Sequence, residues 1–192
     1  MFKALGFDYR YVGEGNSVSR MIDVLREVKD AAKPTLIHVR TLKGKGYKFA
    51  EENKEKWHWN VPFDIASGES KVDMSGENYN DITFDFLNEK IKKDKDVVIL
   101  TAGTPGAFSL TPERRLQLGQ NYVDVGIAEE HAVAMASALA KGGCKPVFCV
   151  WSSFVQRTYD QLSQDLAINN NPAVILVFAG AISGMDVTHL GS

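Results

Sequence analysis

Two adjacent carboxylates and a histidine begin an apolar helical pattern in the segment "VGIAEEHAVAMASALAKG". Glu129 and Glu130 fall in the first turn of the predicted helix, where exposed backbone N–H groups favour acidic side chains without any catalytic role. The alternative is a role in proton transfer, which requires that one glutamate be shielded from water. The apolar face of the helix is broad enough that at least one of the two lies at its edge. A desolvated carboxyl there can hold or pass a proton near neutral pH. The residues alone leave both interpretations open.

A second candidate group follows the predicted strand "KPVFCVW". Ligands of open parallel sheets bind at the carboxyl ends of the strands, where an aromatic ring and an anionic group could be held. The side chains placed there are Trp151, Phe154 and Arg157. Alternatively, Phe154 and Tyr159 are core residues. Arg157 would then pair with Asp160 or Asp165 on the solvated face of the helix that the spacing predicts over about residues 154–169.

Three histidines occupy different settings. His38 lies inside an apolar strand pattern, which predicts a buried and hydrogen-bonded residue. His58, in "EKWHWNVPF", has aromatic neighbours on an irregular segment, as an active-site loop would. His189, in "GMDVTHLG", lies on a glycine-bounded loop after a strand. For both of these the alternative is a turn histidine with a local hydrogen bond.

The elements that must position these residues alternate regularly along the chain. Apolar residues at helical spacing, as in the helix predicted at about Tyr79–Lys92, are followed by short strands that are nearly all apolar, such as "VVILTA" and "AVILVFA". Such strands predict an α/β fold with a mostly parallel sheet covered on both faces. The segment "ASGESKVDMSGEN" has the composition of a linker, so we place a domain boundary near residue 70.

Composition narrows the classes of function. The chain has 192 residues, 44% of them hydrophobic, and a net charge of -2 with dispersed basic residues, which does not favour nucleic-acid binding. No apolar run approaches the roughly 18 residues of a membrane span, and the first residues lack the pattern of a secretory signal. Cys144 and Cys149 have neither disulfide-framework nor metal-site spacing. We therefore expect a cytoplasmic protein without a membrane partner.

Taken together, several segments resemble the thiamine-diphosphate enzymes of the transketolase superfamily. They are "YVGEGN", "HVRTLKGKGYKFAEENKEKWHWNVPFD", "VDVGIAEEHAVAMASALAKGGCKPVF", "SSFVQRTYDQLSQDLAINNNPAV" and "GMDVTHLG". The resemblance implies a three-layer αβα fold that is incomplete at both ends. Residues 1–70 would be the last part of a diphosphate-binding domain plus linker, and residues 71–192 an incomplete pyrimidine-binding domain.

The resemblance also implies roles for individual residues. Glu129 matches the acid that bonds the pyrimidine ring of the cofactor, Phe154 matches the ring that stacks on it, and Ile127 matches a cofactor contact. The positions that match the lining of the substrate channel are His58, Trp151, Arg157, Asp186 and His189. Of these, His58 and His189 would act in donor binding and proton transfer, and Arg157 would meet a phosphate oxyanion.

The resemblance implies a transferase that moves an acyl unit from pyruvate or a ketose to an aldose or aldose phosphate, and that works as a homodimer. Phe178 and Ala179 replace an aspartate-arginine pair, and Trp151 replaces a tyrosine, so the acceptor could differ. No GDG motif followed by asparagine is present, which places the Mg²⁺ ligands outside this chain. We therefore expect a fragment that is inactive alone. The alternatives are a transketolase-like enzyme with another substrate and a non-catalytic paralogue that binds or regulates.

Overall fold

The computed structural model describes residues 1–73 and 75–178. Its contacts divide the chain into two compact units, Met1–Ser75 and Gly76–Ser192, and the division lies close to the segment with linker composition. Both units contain parallel strands and helices, so the predicted α/β class is confirmed. No helix in the described part of the chain is long and apolar enough to cross a membrane.

The first unit is built around two parallel strands. Its elements are a 3-10 turn at Phe2–Leu5, β1 at Asp8–Val12, α1 at Val18–Val28, β2 at Thr35–Val39 and α2 at Lys48–Glu52. Ser17 begins α1, since its hydroxyl accepts a hydrogen bond from the Arg20 N–H. The sequence pattern predicted neither β1 nor α2.

The prediction that His38 is buried is wrong. Its side chain is exposed on β2, although its hydrogen bonding is satisfied, because Nδ1 lies 2.7 Å from the Tyr9 hydroxyl. The Tyr11 ring also meets the imidazole edge to face, with ring centroids 5.3 Å apart. An apolar strand has all its side chains buried only when both faces of its sheet are covered. The sequence of one strand does not show whether that is so.

The second unit has a four-stranded parallel sheet in the order β4-β3-β5-β6. Its elements are α3 at Tyr79–Lys93, β3 at Val97–Thr101, α4 at Pro112–Leu118, β4 at Tyr122–Asp124, α5 at Glu129–Lys141, β5 at Lys145–Trp151 and β6 at Val174–Phe178. Short 3-10 turns lie at Pro105–Phe108 and Gly119–Asn121. Every residue of β3 is buried, as expected of a central strand with both faces covered.

Helices cover the two faces of this sheet with two separate apolar clusters. On one face, Ile99 and Cys149 pack with the α3 residues Phe84 and Ile91. On the other face, Leu100 and Phe148 pack with α5 residues, among them Val133. Alternate strand residues therefore point to opposite layers, which is the three-layer αβα arrangement expected for this part of the chain.

The segment after β5 departs from the single helix predicted over residues 154–169. It consists of α6 at Ser152–Val155, a 3-10 turn at Gln156–Thr158, α7 at Tyr159–Gln161 and a π-helix at Leu162–Ala167. The apolar residues Leu162 and Leu166 still face the α5 cluster, so the helical spacing was correct while the hydrogen-bond pattern was not. Side-chain spacing does not distinguish bonds to the third, fourth or fifth residue.

One charged pair ties α3 to α4. Arg114 donates to the Asp81 carboxylate and to the Ser109 carbonyl, and its guanidinium lies 4.3 Å from the Phe84 ring centroid. The hydrogen bond from Arg114 and, after it, the one from the Asn78 side chain lower the pKa of Asp81 below its usual range. A carboxyl with a lowered pKa stabilises the fold above its unfolded pKa, and this contribution disappears as the pH falls through the folded value.

We expect Arg114→Ala to lower the free energy of unfolding by about 1 kcal/mol at neutral pH. The deficit should begin to shrink below about pH 4, the usual pKa of an unfolded aspartate, and should shrink further as the pH falls through the lower folded pKa of Asp81. It should not disappear, because the packing over Phe84 does not depend on pH. Urea unfolding at a series of pH values measures this. Lys92→Ala is the matched control, since the Lys92–Glu89 pair is more than half exposed and should contribute little. An acid-independent deficit would contradict the role of Asp81.

Candidate functional site

The two glutamates at the start of α5 have different surroundings. Glu129 is the first residue of the helix and only 2% exposed, whereas the Glu130 side chain is 44% exposed. The expectation that one carboxyl is desolvated is therefore confirmed, and it is Glu129. Its Oε2 atom is buried and has no hydrogen-bond partner in the described part of the chain. An interior acceptor in this state is rare in folded proteins, which makes it a candidate for binding something else.

Arg157 contacts both carboxylates. Its Nη1 lies 3.3 Å from Glu129 Oε2, within ion-pair range but without the geometry of a hydrogen bond, and its Nε lies 3.7 Å from Glu130 Oε1. The alternative in which Arg157 pairs with an aspartate on its own helix is wrong. The Arg157 side chain is 47% exposed, so water partly screens the ion pair, but the pair still offsets part of the cost of burying a charge on Glu129.

Two apolar side chains of the same unit belong to the segments that flank Glu129 and Arg157. Ile127, two residues before Glu129, is 80% exposed, although the sequence pattern placed it in the apolar face of the helix. Phe154 is half-buried against the α5 cluster, while Tyr159 is 78% exposed and is not the core residue considered in the alternative. A buried carboxylate thus follows an exposed apolar residue by two positions in the chain, and the two chemistries together suit a flat heteroaromatic ring.

A network of polar side chains that the sequence did not indicate lies just before α5. Asp124, at the end of β4, accepts from the backbone N–H of Gly126 at 2.7 Å and from that of Gly103 at 3.2 Å. The fully buried Thr101 hydroxyl donates to Asp124 at 2.7 Å and also lies 2.7 Å from the Tyr122 hydroxyl. Burial raises the pKa of Tyr122 to about 12, so this phenol keeps its proton. The sequence "YVDVG" carries no motif that would have signalled the network.

Trp151 lies at the carboxyl end of β5, where it was predicted, but its ring packs with the cluster on the α3 face. It contacts Phe178 edge to face with ring centroids 4.7 Å apart, and these two residues are register partners on β5 and β6. Phe178 also meets Phe108, with centroids 5.6 Å apart. The described packing of Trp151 is thus on the α3 face of the sheet, opposite the cluster that holds α5. Its role toward a substrate stays a prediction.

His58 lies in the first unit and contacts a lysine of the glycine-punctuated segment "KGKG". Lys43 Nζ donates to His58 Nδ1, so the neutral imidazole carries its proton on Nε2 and can donate from that atom. The loop that holds Lys43 is tied to Asn16, whose side chain bonds both the N–H and the carbonyl of Leu42. His58 is therefore an exposed histidine in a defined tautomer, as a donor on an active-site loop would be.

Asp186, His189 and Ala179 lie outside the described residues, so their predicted roles stay predictions. Within residues 1–73 and 75–178, no group of three or more histidine, cysteine, aspartate or glutamate side chains could hold a metal ion. Burial raises the pKa of the Cys149 thiol to about 12, so this cysteine is not a nucleophile near neutral pH.

Comparison with protein families gives two matches. Residues 78–189 match the family described as transketolase, pyrimidine binding domain, and residues 1–41 match the amino-terminal family of 1-deoxy-D-xylulose-5-phosphate synthase. The first match covers more than half of the chain and includes the segment with Glu129, Phe154 and Arg157.

Three similar proteins bear the name 1-deoxy-D-xylulose-5-phosphate synthase. The protein of Symbiobacterium thermophilum is 39% identical over 99% of this chain and 29% of its own length. That of Caldanaerobacter subterraneus subsp. tengcongensis is 41% identical over 99% of this chain and 30% of its own length. That of Chlorobaculum tepidum is 41% identical over 100% of this chain and 31% of its own length. The chain thus spans about three tenths of the length of the relatives it matches.

Proposed function

Because the chain belongs to the transketolase pyrimidine-binding-domain family, we propose that it supplies the pyrimidine side of a thiamine-diphosphate site. The proposed activity is that of a transketolase-type transferase resembling 1-deoxy-D-xylulose-5-phosphate synthase, which joins pyruvate and glyceraldehyde 3-phosphate into deoxyxylulose phosphate and releases CO₂. The observation that carries the proposal is the buried Glu129 carboxylate, whose Oε2 atom lacks a hydrogen-bond partner among the described residues.

The residues around Glu129 fit the pyrimidine ring of this cofactor. A ring nitrogen that shares a proton with Oε2 would satisfy the orphaned acceptor, which otherwise lowers stability. The exposed Ile127 and the half-buried Phe154 offer apolar surface to a flat ring, in keeping with the cofactor contacts expected of them. The Mg²⁺ and the diphosphate would be held by the diphosphate-binding part of the site, outside this chain.

Thiamine diphosphate, when bound, supplies a nucleophilic carbon that takes an acyl unit from a 2-oxo acid or a ketose. Glu129 would hold and move the proton at the pyrimidine nitrogen, a task that suits a carboxyl shielded from water. Arg157, anchored by Glu130, would offer its exposed N–H groups to an anionic substrate group such as a carboxylate or phosphate. His58 would donate a hydrogen bond from Nε2 to the donor substrate, and Asp186, His189 and Trp151 are proposed to line the substrate channel.

The test uses the intact gene product that carries this sequence, with any partner that copurifies. It is incubated with thiamine diphosphate, Mg²⁺, pyruvate and glyceraldehyde 3-phosphate, and both cofactor binding and CO₂ release are measured. We expect binding and release together. If neither occurs, the proposal fails; if the cofactor binds without CO₂ release, the substrate is a different ketose or aldose, or the protein is the non-catalytic paralogue.

We also propose a homodimer in the cytoplasm. The support is the sequence resemblance, since enzymes of this superfamily bind the cofactor between two parts of a dimeric assembly, together with a composition without signal features. Light scattering after size-exclusion chromatography of the intact gene product measures the assembly directly. A monomeric species that binds the cofactor would contradict this proposal.

A further inference from the structure

The residue before α5 cannot fix the start of this helix. The N-terminal cap position is Ala128, which has no side chain able to accept from the first free N–H groups. Helices with such an end fray unless another group restrains the chain. Yet this is the end that carries Glu129, whose carboxylate must keep one position to exchange a proton with a ring atom.

The restraint comes from Asp124, outside the helix. Its Oδ1 accepts from the Gly126 N–H at 2.7 Å, and its carboxylate also accepts from the Gly103 N–H at 3.2 Å. It thereby joins the loop after β3 to the loop before α5. Both glycines have positive φ, +74° for Gly103 and +76° for Gly126, so these hydrogen bonds hold backbone that only glycine adopts readily.

The carboxylate of Asp124 is itself held by two hydroxyl groups of the sheet. Thr101, which is fully buried at the end of β3, donates to Oδ2 at 2.7 Å, and the Tyr122 hydroxyl lies 3.3 Å from the same oxygen. Because β3 is the most buried strand of the sheet, the anchor is rigid. A hypothetical Cβ on Gly103 would lie 3.1 Å from an Ile127 side-chain atom, so the two loops are also in close packing.

We propose that Asp124 is a positioning residue for Glu129, acting through a clamp formed by Thr101, Tyr122 and the Gly103 and Gly126 amides. The clamp restrains the segment at residues 126–129 against the buried strand β3 and so fixes the position of the Glu129 carboxylate. This inference rests on the proposed function of Glu129. It assigns Asp124 no contact with substrate or cofactor.

The first test needs no cofactor. Amide hydrogen exchange of the intact gene product is followed by mass spectrometry in the peptide covering residues 125–131. Asp124→Ala should accelerate exchange there by about tenfold, because two charge-assisted hydrogen bonds are lost. Asp124→Asn should largely restore protection, since its carbonyl still accepts from Gly126. Asp85→Ala, which removes an exposed carboxylate from α3, is the control for charge and should leave this peptide unchanged.

The second test measures the hydrogen–deuterium exchange of the cofactor C2 position at saturating thiamine diphosphate. Asp124→Ala should slow it on the order of 10²-fold, with Asp124→Asn much closer to wild type. If Asp124→Ala does not fold, Thr101→Val carries both tests, because it removes the anchor of Oδ2 and keeps the side-chain volume.

The outcomes separate the two claims. Unchanged amide exchange in the 125–131 peptide overturns the clamp. Faster amide exchange with unchanged C2 exchange overturns the positioning role. Absence of cofactor binding in the wild-type protein instead refutes the proposed function, while the amide-exchange comparison still decides whether Asp124 orders the segment that carries Glu129.

Discussion

Glu129→Gln is expected to lower the rate of C2 hydrogen–deuterium exchange in bound thiamine diphosphate by about 10²–10⁴-fold. Glutamine keeps the size of the side chain, and its amide can still hydrogen-bond a ring nitrogen, but it cannot take up and return a proton. Glu129 is only 2% exposed, so water has little access to replace it. Nuclear magnetic resonance of acid-quenched samples gives the exchange rate, and calorimetric titration of the cofactor separates weaker binding from lost proton transfer.

Glu130→Gln is the matched control for this prediction. It makes the same chemical change one residue along the helix, where the carboxylate is 44% exposed and lies 3.7 Å from Arg157 Nε. We expect C2 exchange within a few-fold of wild type, because a solvated ion pair contributes little. Equal losses in the two variants would refute the assignment of Glu129 as the proton-transferring carboxyl.

The periodicity of apolar residues in the sequence does not identify which of these two glutamates is buried. Successive helical residues are about 100° apart around the axis, so the boundary of a broad apolar face is uncertain by about one residue. The resemblance to transketolase-type enzymes selected Glu129, and the burial in the structure agrees with that choice. By contrast, Ile127 belongs to the same apolar pattern and is exposed, because it precedes the helix and its direction is set by the Gly126 turn.

Elements with strong local signals were predicted almost to the residue. β5 has the predicted bounds of Lys145–Trp151, and α3 begins at Tyr79 because Asn78 accepts a hydrogen bond from the Asp81 N–H. The Asp124 clamp was missed because its members come from two strands and two loops that only the sheet brings together. β1 was missed for the same reason, since its parallel pairing with β2 is a contact between distant parts of the chain.

The second large effect is expected from Phe148→Ala, which should lower the free energy of unfolding by about 3–5 kcal/mol. Phe148 is fully buried in the centre of β5 and packs in the cluster that holds α5 against the sheet. Such a loss is a large fraction of the typical total stability of about 5–15 kcal/mol. Urea unfolding monitored by circular dichroism measures the change in the midpoint.

The functional consequence of Phe148→Ala should follow from α5 rather than from any contact with the cofactor. A cavity beneath the helix allows it to shift, and Glu129 shifts with its first turn, so C2 exchange should fall even under conditions where the protein remains folded. Val177→Ala, on the edge strand β6 and 46% exposed, removes apolar atoms without opening a closed cavity and should cost about 1 kcal/mol or less. If the two variants unfold at the same urea concentration, Phe148 does not support α5 by its packing. That result would also refute the proposed dependence of the Glu129 position on this core.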